Sequence, residues 1–388
     1  MKKWISRPRL EEQLTGSLKA WRVTCLLGPR QCGKTSAARA IAGKAKAHYF
    51  DLEDPDDFER LQNAKAALSP LRGLVVLDEA QRLPPLFPVL RVLADRKPLP
   101  ARFLLLGSAS PELIKGVTES LAGRVHYIEM EGFQLSEVGV PGMERLWIRG
   151  GFPGSYLAGT AAQSLSWRED YIRNFLERDI PQLHIRIPAL ALRRFWTMVA
   201  HYHGQIWNAS EIAGSMGISH PTARQYLDLL TGAFALRQLA PLAVNLSKRL
   251  VKSPKIYVRD SGLFHALLAV PDMGRLQSNP KYGASWEGFA LEHVLAMVGE
   301  RHTAFWSTHG GAELDLVVEA PKGRFGFEFK AAGSPGMTRS LHEALKDLKP
   351  KRIWVVHPGD KAYPLHEKVE ALPLSQLESI RKTIGAPK

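Results

Sequence analysis

The run VTCLLGPRQCGKTSAARA, Val23 to Ala40, constrains the fold more than any other part of the chain. A short apolar segment ends at Gly28, four residues follow, and then Gly-Lys-Thr opens a helix-compatible stretch. Glycines let the backbone curl so that successive N–H groups point at phosphate oxygens, and the following helix aims its positive end there. Only a strand, a loop and a helix in that order satisfy the pattern, which predicts an α/β domain with a parallel sheet. Gly28, Pro29, Arg30, Gln31, Cys32, Gly33, Lys34, Thr35 and Ser36 are therefore the candidate cradle for ATP. Lys34 is expected to neutralise the β- and γ-phosphates, and the Thr35 hydroxyl to ligate magnesium (Mg2+).

LVVLDEAQ, from Leu74, supplies the matching half. Four apolar residues end at Asp78, expected to hold the magnesium through water, and Glu79 is placed to polarise the attacking water. RFLLLGSAS predicts a third buried strand ending at Ser108, which reads either as a γ-phosphate sensor or as a turn-forming serine. Arg124, in SLAGR, reads as a sensor, as an arginine finger presented to a neighbouring subunit, or as an ordinary surface arginine.

With 388 residues the chain is too long for one ordinary core. Pattern shifts predict an ATPase domain over 1–135, a helical and winged-helix-like segment over 136–255, and a third domain over 256–388. Fifty-two basic against 38 acidic residues leave a net charge of +14, which favours a polyanionic partner, DNA before anionic membrane. Two cysteines, Cys25 and Cys32, are too few for a disulfide framework or a thiolate zinc site. The N-terminal MKKWISRPRLEEQL lacks the apolar run of a signal peptide, and no stretch approaches ~18 apolar residues. A cytoplasmic protein without a membrane span is expected.

GPRQCGKT, LDEAQ, LLGSAS and SLAGR, followed by GGFP (Gly150 to Pro153) and ERDIP (Glu177 to Pro181), resemble the bacterial and archaeal AAA-type (AAA_14-like) ATPases that carry a C-terminal DUF4143 region. The resemblance runs nearly the whole chain. It implies an AAA-like P-loop domain, a helix-turn-helix-like middle and a restriction-endonuclease-like C-terminal domain. AAA-type ATPases often form rings, which implies a homo-oligomer.

IWNASEIAGSMGISHPTARQYLDLL reads as helix, glycine turn, helix. Ser210 is expected to cap the first helix, Gly217 to turn, and Ser219 to cap the second with Pro221 in its first turn. His220, Thr222, Arg224, Gln225 and Asp228 would face outward, a thin set for reading a groove; a purely structural helix pair fits as well. The run Lys248, Arg249, Lys252 and Lys255 reads as phosphate contacts or equally as a solvated face.

GAELDLVVEAPKGRFGFEFKAA, Gly311 to Ala332, reads as a hairpin that places Asp315, Glu328 and Lys330 among apolar residues. A tight turn at APKG pairs Ala320 with Gly323 and so sets Asp315 opposite Glu328. Like charges that close repel, which calls for a cation between them or a raised pKa. A divalent metal, magnesium by its preference for hard oxygens, is the expected solution. Glu287 shares a helical stripe with Leu291, Val294 and Val298 and offers a third carboxylate.

Aspartate, then Glu-x-Lys on the next strand, with a glutamate on the preceding helix, resembles the PD-(D/E)XK nuclease superfamily. The resemblance implies Glu287, Asp315 and Glu328 as metal ligands and Lys330 as the catalytic lysine. Leu314 stands where the family's Pro-Asp form has its proline, and the following TRSLHEALKDL holds no glutamine. Two functions are consistent with these motifs: an ATPase acting on DNA with a magnesium-dependent nuclease, or an ATP-dependent switch whose nuclease-like domain only binds a partner or nucleic acid.

Overall fold

The computed structural model describes residues 5–45, 47–107, 111–182, 187–242 and 252–386. Three sheets organise them. In the first, β1 (Val23–Leu27), β2 (His48–Asp51), β3 (Gly73–Asp78), β4 (Ala101–Gly107) and β5 (Val125–Glu129) lie in the order β2-β3-β4-β1-β5, every pair parallel. All of β1 is buried, as a parallel strand covered on both faces requires. The strands within VTCLLG, LVVLDE and RFLLLG are thus adjacent or next-adjacent, and their carboxyl ends share one edge. The helix α1 (Lys34–Ala45) starts inside the glycine loop and buries Ala37, Ala38 and Ile41 against one sheet face.

That face carries Leu26, Val76, Leu104 and Ile128, and its core runs on without a break into Phe175, Trp196 and Leu227 of the middle segment. Here α2 (Ala161–Asn174) leads into a π-helical turn, Phe175–Asp179. Next come β6 (Gln205–Ile206), α3 (Ala209–Met216), α4 (His220–Gly232), β7 (Leu236–Leu239) and β8 (Lys255–Val258), the strands forming a small antiparallel sheet in the order β6-β8-β7. Gly217 turns in the left-handed region at φ 67°, and Ser219 accepts the Thr222 N–H. The first helix is capped by Asn208, not Ser210: its side chain accepts the Ser210 and Glu211 N–H groups, and the helix begins two residues earlier than a Ser210 cap would place it. Because β8 closes the middle sheet, it crosses the boundary expected at residue 255.

The third unit is a mixed α/β sheet. The helix α5 (Tyr282–Val298) precedes β9 (Thr303–Ser307), β10 (Glu313–Ala320) and β11 (Gly323–Phe329). The helix α6 (Arg339–Leu348) then leads to β12 (Arg352–His357), β13 (Tyr363–His366) and β14 (Val369–Pro373), in the order β13-β14-β12-β11-β10-β9. Ala320 pairs with Gly323 and Leu316 with Phe327, the register that the tight turn predicts. Gly323 sits at φ 122°, where a side chain would be strained. One face, with Phe327 and Phe329, packs under α5; the other, with Val317 and Val355, packs under α6. Where β10 pairs β9 the register slips between Leu314 and Val317, beside Asp315. No helix among the described residues is long and apolar enough to cross a membrane.

Candidate functional site

The glycine loop lies at the carboxyl end of β1. A Cβ on Gly28 would run into the Met130 carbonyl, while Gly33 at φ 104° and Gln31 at φ 60° take the left-handed turns that curl the loop. Cys32, buried against Met130, donates its thiol to the same carbonyl at 3.6 Å. Lys34 is 6% exposed and donates to the carbonyls of Gly28 at 2.9 Å and Pro29 at 2.7 Å, so its ammonium stands in the mouth of the loop. The Thr35 hydroxyl donates to Asp78 Oδ2 at 2.8 Å, and the Tyr49 hydroxyl donates to the same oxygen at 2.6 Å.

Asp78 and Glu79 end β3 in different conformations. Glu79 adopts φ 52°, ψ 42°, a strained turn for a residue with a side chain, and that turn swings its carboxylate off the strand line. Burial raises its pKa, opposed by the nearby Lys34 ammonium and a hydrogen bond from Gln81. Arg30, Gln31, Cys32, Gly33, Lys34, Thr35, Ser36 and Glu79 share a cavity of about 520 Å³ with Glu53, Met130, Phe133, Pro153, Leu157 and Arg178. That volume suits a drug-sized ligand, and its walls pair a charged floor with apolar sides. The Thr35 hydroxyl and Asp78 carboxylate, already meeting, are the hard oxygen donors that magnesium takes. Bound there, the ion would spread charge from the phosphates.

One expectation changes. Arg124 does not reach the loop: it precedes β5 at the amino edge of the sheet, where its carbonyl accepts the Val23 N–H, and its guanidinium clamps Asp95 at 2.8 and 2.7 Å. Parallel strands put amino and carboxyl ends on opposite edges, so a residue before β5 cannot sense the γ-phosphate in the loop after β1 of its own chain. This geometry does not bear on a finger presented to a neighbouring subunit, and the pairing with Asp95 fits the surface-arginine reading. Ser108 lies outside the described residues. A residue with no assigned role takes a place instead. Asp179, in ERDIP, forms an ion pair with Arg30 of the loop, and its neighbour Arg178 lines the cavity.

The acidic cluster of the third unit is assembled as expected but filled differently. Asp315 Oδ2 accepts the Phe329 N–H at 2.9 Å, and Lys330 Nζ lies 2.7 Å from Glu328. Glu287, Glu313 and Asp315 converge on the ammonium of Lys255, at 3.1 Å for Glu287 and for Asp315, and Tyr257 donates to Glu287 at 2.7 Å. Lys255 is 2% exposed, so it belongs to no solvated basic face; Lys252 is exposed, and Lys248 and Arg249 lie outside the described residues. Burial disfavours the Lys255 charge, but Tyr257 and the three carboxylates hold its pKa well above the usual range.

Burial and the Asp315 charge push Glu287 up to about 7 and Glu328 up to about 8. The cation between Glu287 and Asp315 is therefore a side chain from β8, while Glu328 is paired with Lys330. Among the described residues no group of three or more histidines, cysteines or carboxylates is arranged to hold a metal. Lys255 stands between Glu287 and Asp315, whereas Glu328 pairs with Lys330 and keeps its second oxygen buried without a partner, so in this arrangement the three carboxylates do not form one magnesium site.

The outward face of α4 carries few groups suited to reading a groove. His220, Arg224, Gln225 and Asp228 are exposed, Thr222 is half-buried, and Arg224 pairs with Asp228 at 3.0 Å on its own helix. A guanidinium so paired has less to offer a phosphate.

A second ionic cluster joins all three units. Arg237 of β7 meets Glu292 of α5 at 2.5 and 2.7 Å and Glu300 at 2.6 Å, and Arg259 pairs with Glu131. Glu131 follows Met130, the residue on which the glycine loop rests. Sequence reading gave no sign of this cluster, because its members lie far apart in the chain and none belongs to a motif.

Parallel strand order, glycine loop and the Lys34–Thr35–Asp78 contacts define an AAA-type P-loop ATPase fold. Residues 20–139 match the AAA domain family; residues 141–274 and 282–377 match two domains of unknown function, DUF8612 and DUF4143. The uncharacterized protein Rv2008c of Mycobacterium tuberculosis (strain ATCC 25618 / H37Rv) is 48% identical over 373 residues, 96% of this chain and 85% of that protein. The uncharacterized protein Mb2031c of Mycobacterium bovis is equally similar. The chain belongs to the family of these mycobacterial proteins. The Walker-type ATPase PABY2304 of Pyrococcus abyssi shares its fold, with a TM-score of 0.51 and 16% identity over 68% of this chain and 96% of that one.

Proposed function

We propose that the chain is an ATP-hydrolysing switch in which nucleotide state is passed to the middle and C-terminal units. The observation that carries this reading is the meeting of Lys34, Thr35, Asp78 and Glu79 at one edge of the parallel sheet. Loop N–H groups and Lys34 bind the phosphates, Asp78 and Thr35 hold the magnesium, and Glu79 takes the proton of the attacking water. Two links support transmission: Asp179 grips Arg30 in the loop, and Glu131, next to Met130, pairs with Arg259. Lys34→Ala is expected to lose ATP binding and turnover. Glu79→Gln is expected to keep binding and slow hydrolysis by about 10²- to 10⁴-fold. Steady-state phosphate release and nucleotide titration read both; undiminished turnover in Lys34→Ala would remove the reading.

A second reading, magnesium-dependent phosphodiester hydrolysis of DNA at the acidic cluster, is favoured by the gathering of Glu287, Asp315, Glu328 and Lys330 and by the net charge of +14. It requires Lys255 to leave the cluster. Branched, linear and single-stranded DNA with magnesium, tested beside Glu328→Ala, decides it. Cutting by the wild type alone supports the nuclease, and intact DNA beside active ATP hydrolysis returns the cluster to a binding role. Ring formation, which the AAA-type resemblance implies, is read by light scattering with and without ATP.

A further inference from the structure

We propose that Arg178 is the residue through which the middle segment contacts the γ-phosphate of ATP bound in the glycine loop. The inference rests on the ATP-binding reading of that loop and names a residue that the loop and β3 do not supply. Lys34, Thr35, Ser36 and Glu79 all come from the parallel-sheet unit, whereas Arg178 reaches the same cavity from the π-helical turn after α2.

That turn explains its placement. A π turn inserts one extra residue into the helical ladder and rotates the residues beyond it, a distortion that recurs at functional sites. Phe175 and Leu176 stay buried in the shared core, while Arg178 is exposed and Asp179 half-buried. Asp179 then binds Arg30 of the glycine loop, so the backbone carrying Arg178 is tethered to the nucleotide site.

Charge accounting points the same way. Lys34 is engaged with the carbonyls of Gly28 and Pro29, and Arg30 with Asp179. Arg178 makes no side-chain hydrogen bond or ion pair among the described residues, although the Asp179 carboxylate lies close enough to feel its charge. An arginine held without a partner in the wall of a phosphate cavity is suited to the planar oxygens of a phosphoryl group. Arg124, at the far edge of the sheet, is spent on Asp95.

In the reaction the water oxygen bonds to the γ-phosphorus while the bond to the β–γ bridging oxygen breaks. ADP leaves, the water's proton passes to the Glu79 carboxylate, and orthophosphate remains. Arg178 binds the equatorial oxygens, whose charge grows as the bonds exchange. Because it contacts only the γ-phosphate, it separates ATP from ADP, and its loss from the phosphate after release frees the π turn.

The test compares wild type, Arg178→Ala and Arg178→Lys in the full chain, using fluorescent ADP and a non-hydrolysable fluorescent ATP analogue. The expected result is that Arg178→Ala binds ADP as the wild type does. It should lose about tenfold in affinity for the ATP analogue and at least ~10²-fold in turnover, with partial recovery in Arg178→Lys. Equal analogue-to-ADP affinity ratios in wild type and Arg178→Ala, with turnover retained, overturn the proposal and leave the ATP reading standing. A wild type that binds neither nucleotide overturns both. Since Arg178 is exposed, an unchanged melting temperature in Arg178→Ala is expected.

Discussion

Lys255 is a buried cation whose loss should be felt strongly. Its ammonium meets Glu287, Glu313 and Asp315, and it joins the sheet of the middle segment to that of the third unit. Removing one partner of a buried ionic group leaves uncompensated charge, at a cost of about 3–5 kcal/mol. Lys255→Met is expected to destabilise by that order in denaturant unfolding, and the double variant with Asp315→Asn to recover part of it. A Lys255→Met midpoint equal to the wild type would show that the carboxylates are not held by the ammonium. At the same scale the glycine loop was legible, since each of its residue types answers a local requirement of phosphate binding. Lys255 was not: a lysine near another lysine in a basic run reads as solvated until β8 is known to be interior.

At the scale of elements, periodicity was a good guide wherever one face is buried. The strands ending at Gly28, Asp78 and Gly107, the helix pair around Gly217, the hairpin turning at APKG and the strand RIWVVH all form. Turn geometry fixed the hairpin register, and with it the proximity of Asp315 and Glu328. Helix ends were less legible. Asn208 and Ser210 are both good caps two residues apart, and only the backbone decides which accepts the free N–H groups. The π turn at Phe175–Asp179 was not read either, although Pro181 in ERDIP has no N–H to give to the carbonyl four residues back and so disturbs the regular ladder at that point.

At the scale of the whole molecule, three buried histidines make polar contacts at or beside the junctions between the units. His203 Nδ1 accepts the Val258 N–H at 2.9 Å and its ring fills the space left by Gly288. His265 lies 2.7 Å from the Ser285 hydroxyl, and His293 lies 2.6 Å from Gln134. Burial pushes the three pKa values down from 6.5, to about 3 for His203 and about 4 for His265 and His293. With folded values depressed, their contribution is fully present above pH 6.5 and is lost as pH falls from there towards the folded values. The histidine contribution is therefore expected to fall from pH 7 to pH 4, against an opposite contribution from the raised carboxylates Glu287 and Glu328, so the melting temperature of His203→Gln is expected to fall less over that range than that of the wild type. Equal changes in melting temperature from pH 7 to pH 4 in the wild type and in His203→Gln would contradict the buried neutral state.

By itself the sequence determined the α/β class, the nucleotide loop, its carboxylate partners and the hairpin register, because each depends on neighbours a few residues away. Tertiary structure alone decided that Arg124 lies at the sheet edge away from its own glycine loop, that Asp179 reaches the loop, and that the cation between Glu287 and Asp315 is Lys255. Those outcomes depend on which distant segments meet, and Coulomb forces at a few ångströms are set by that meeting rather than by order along the chain.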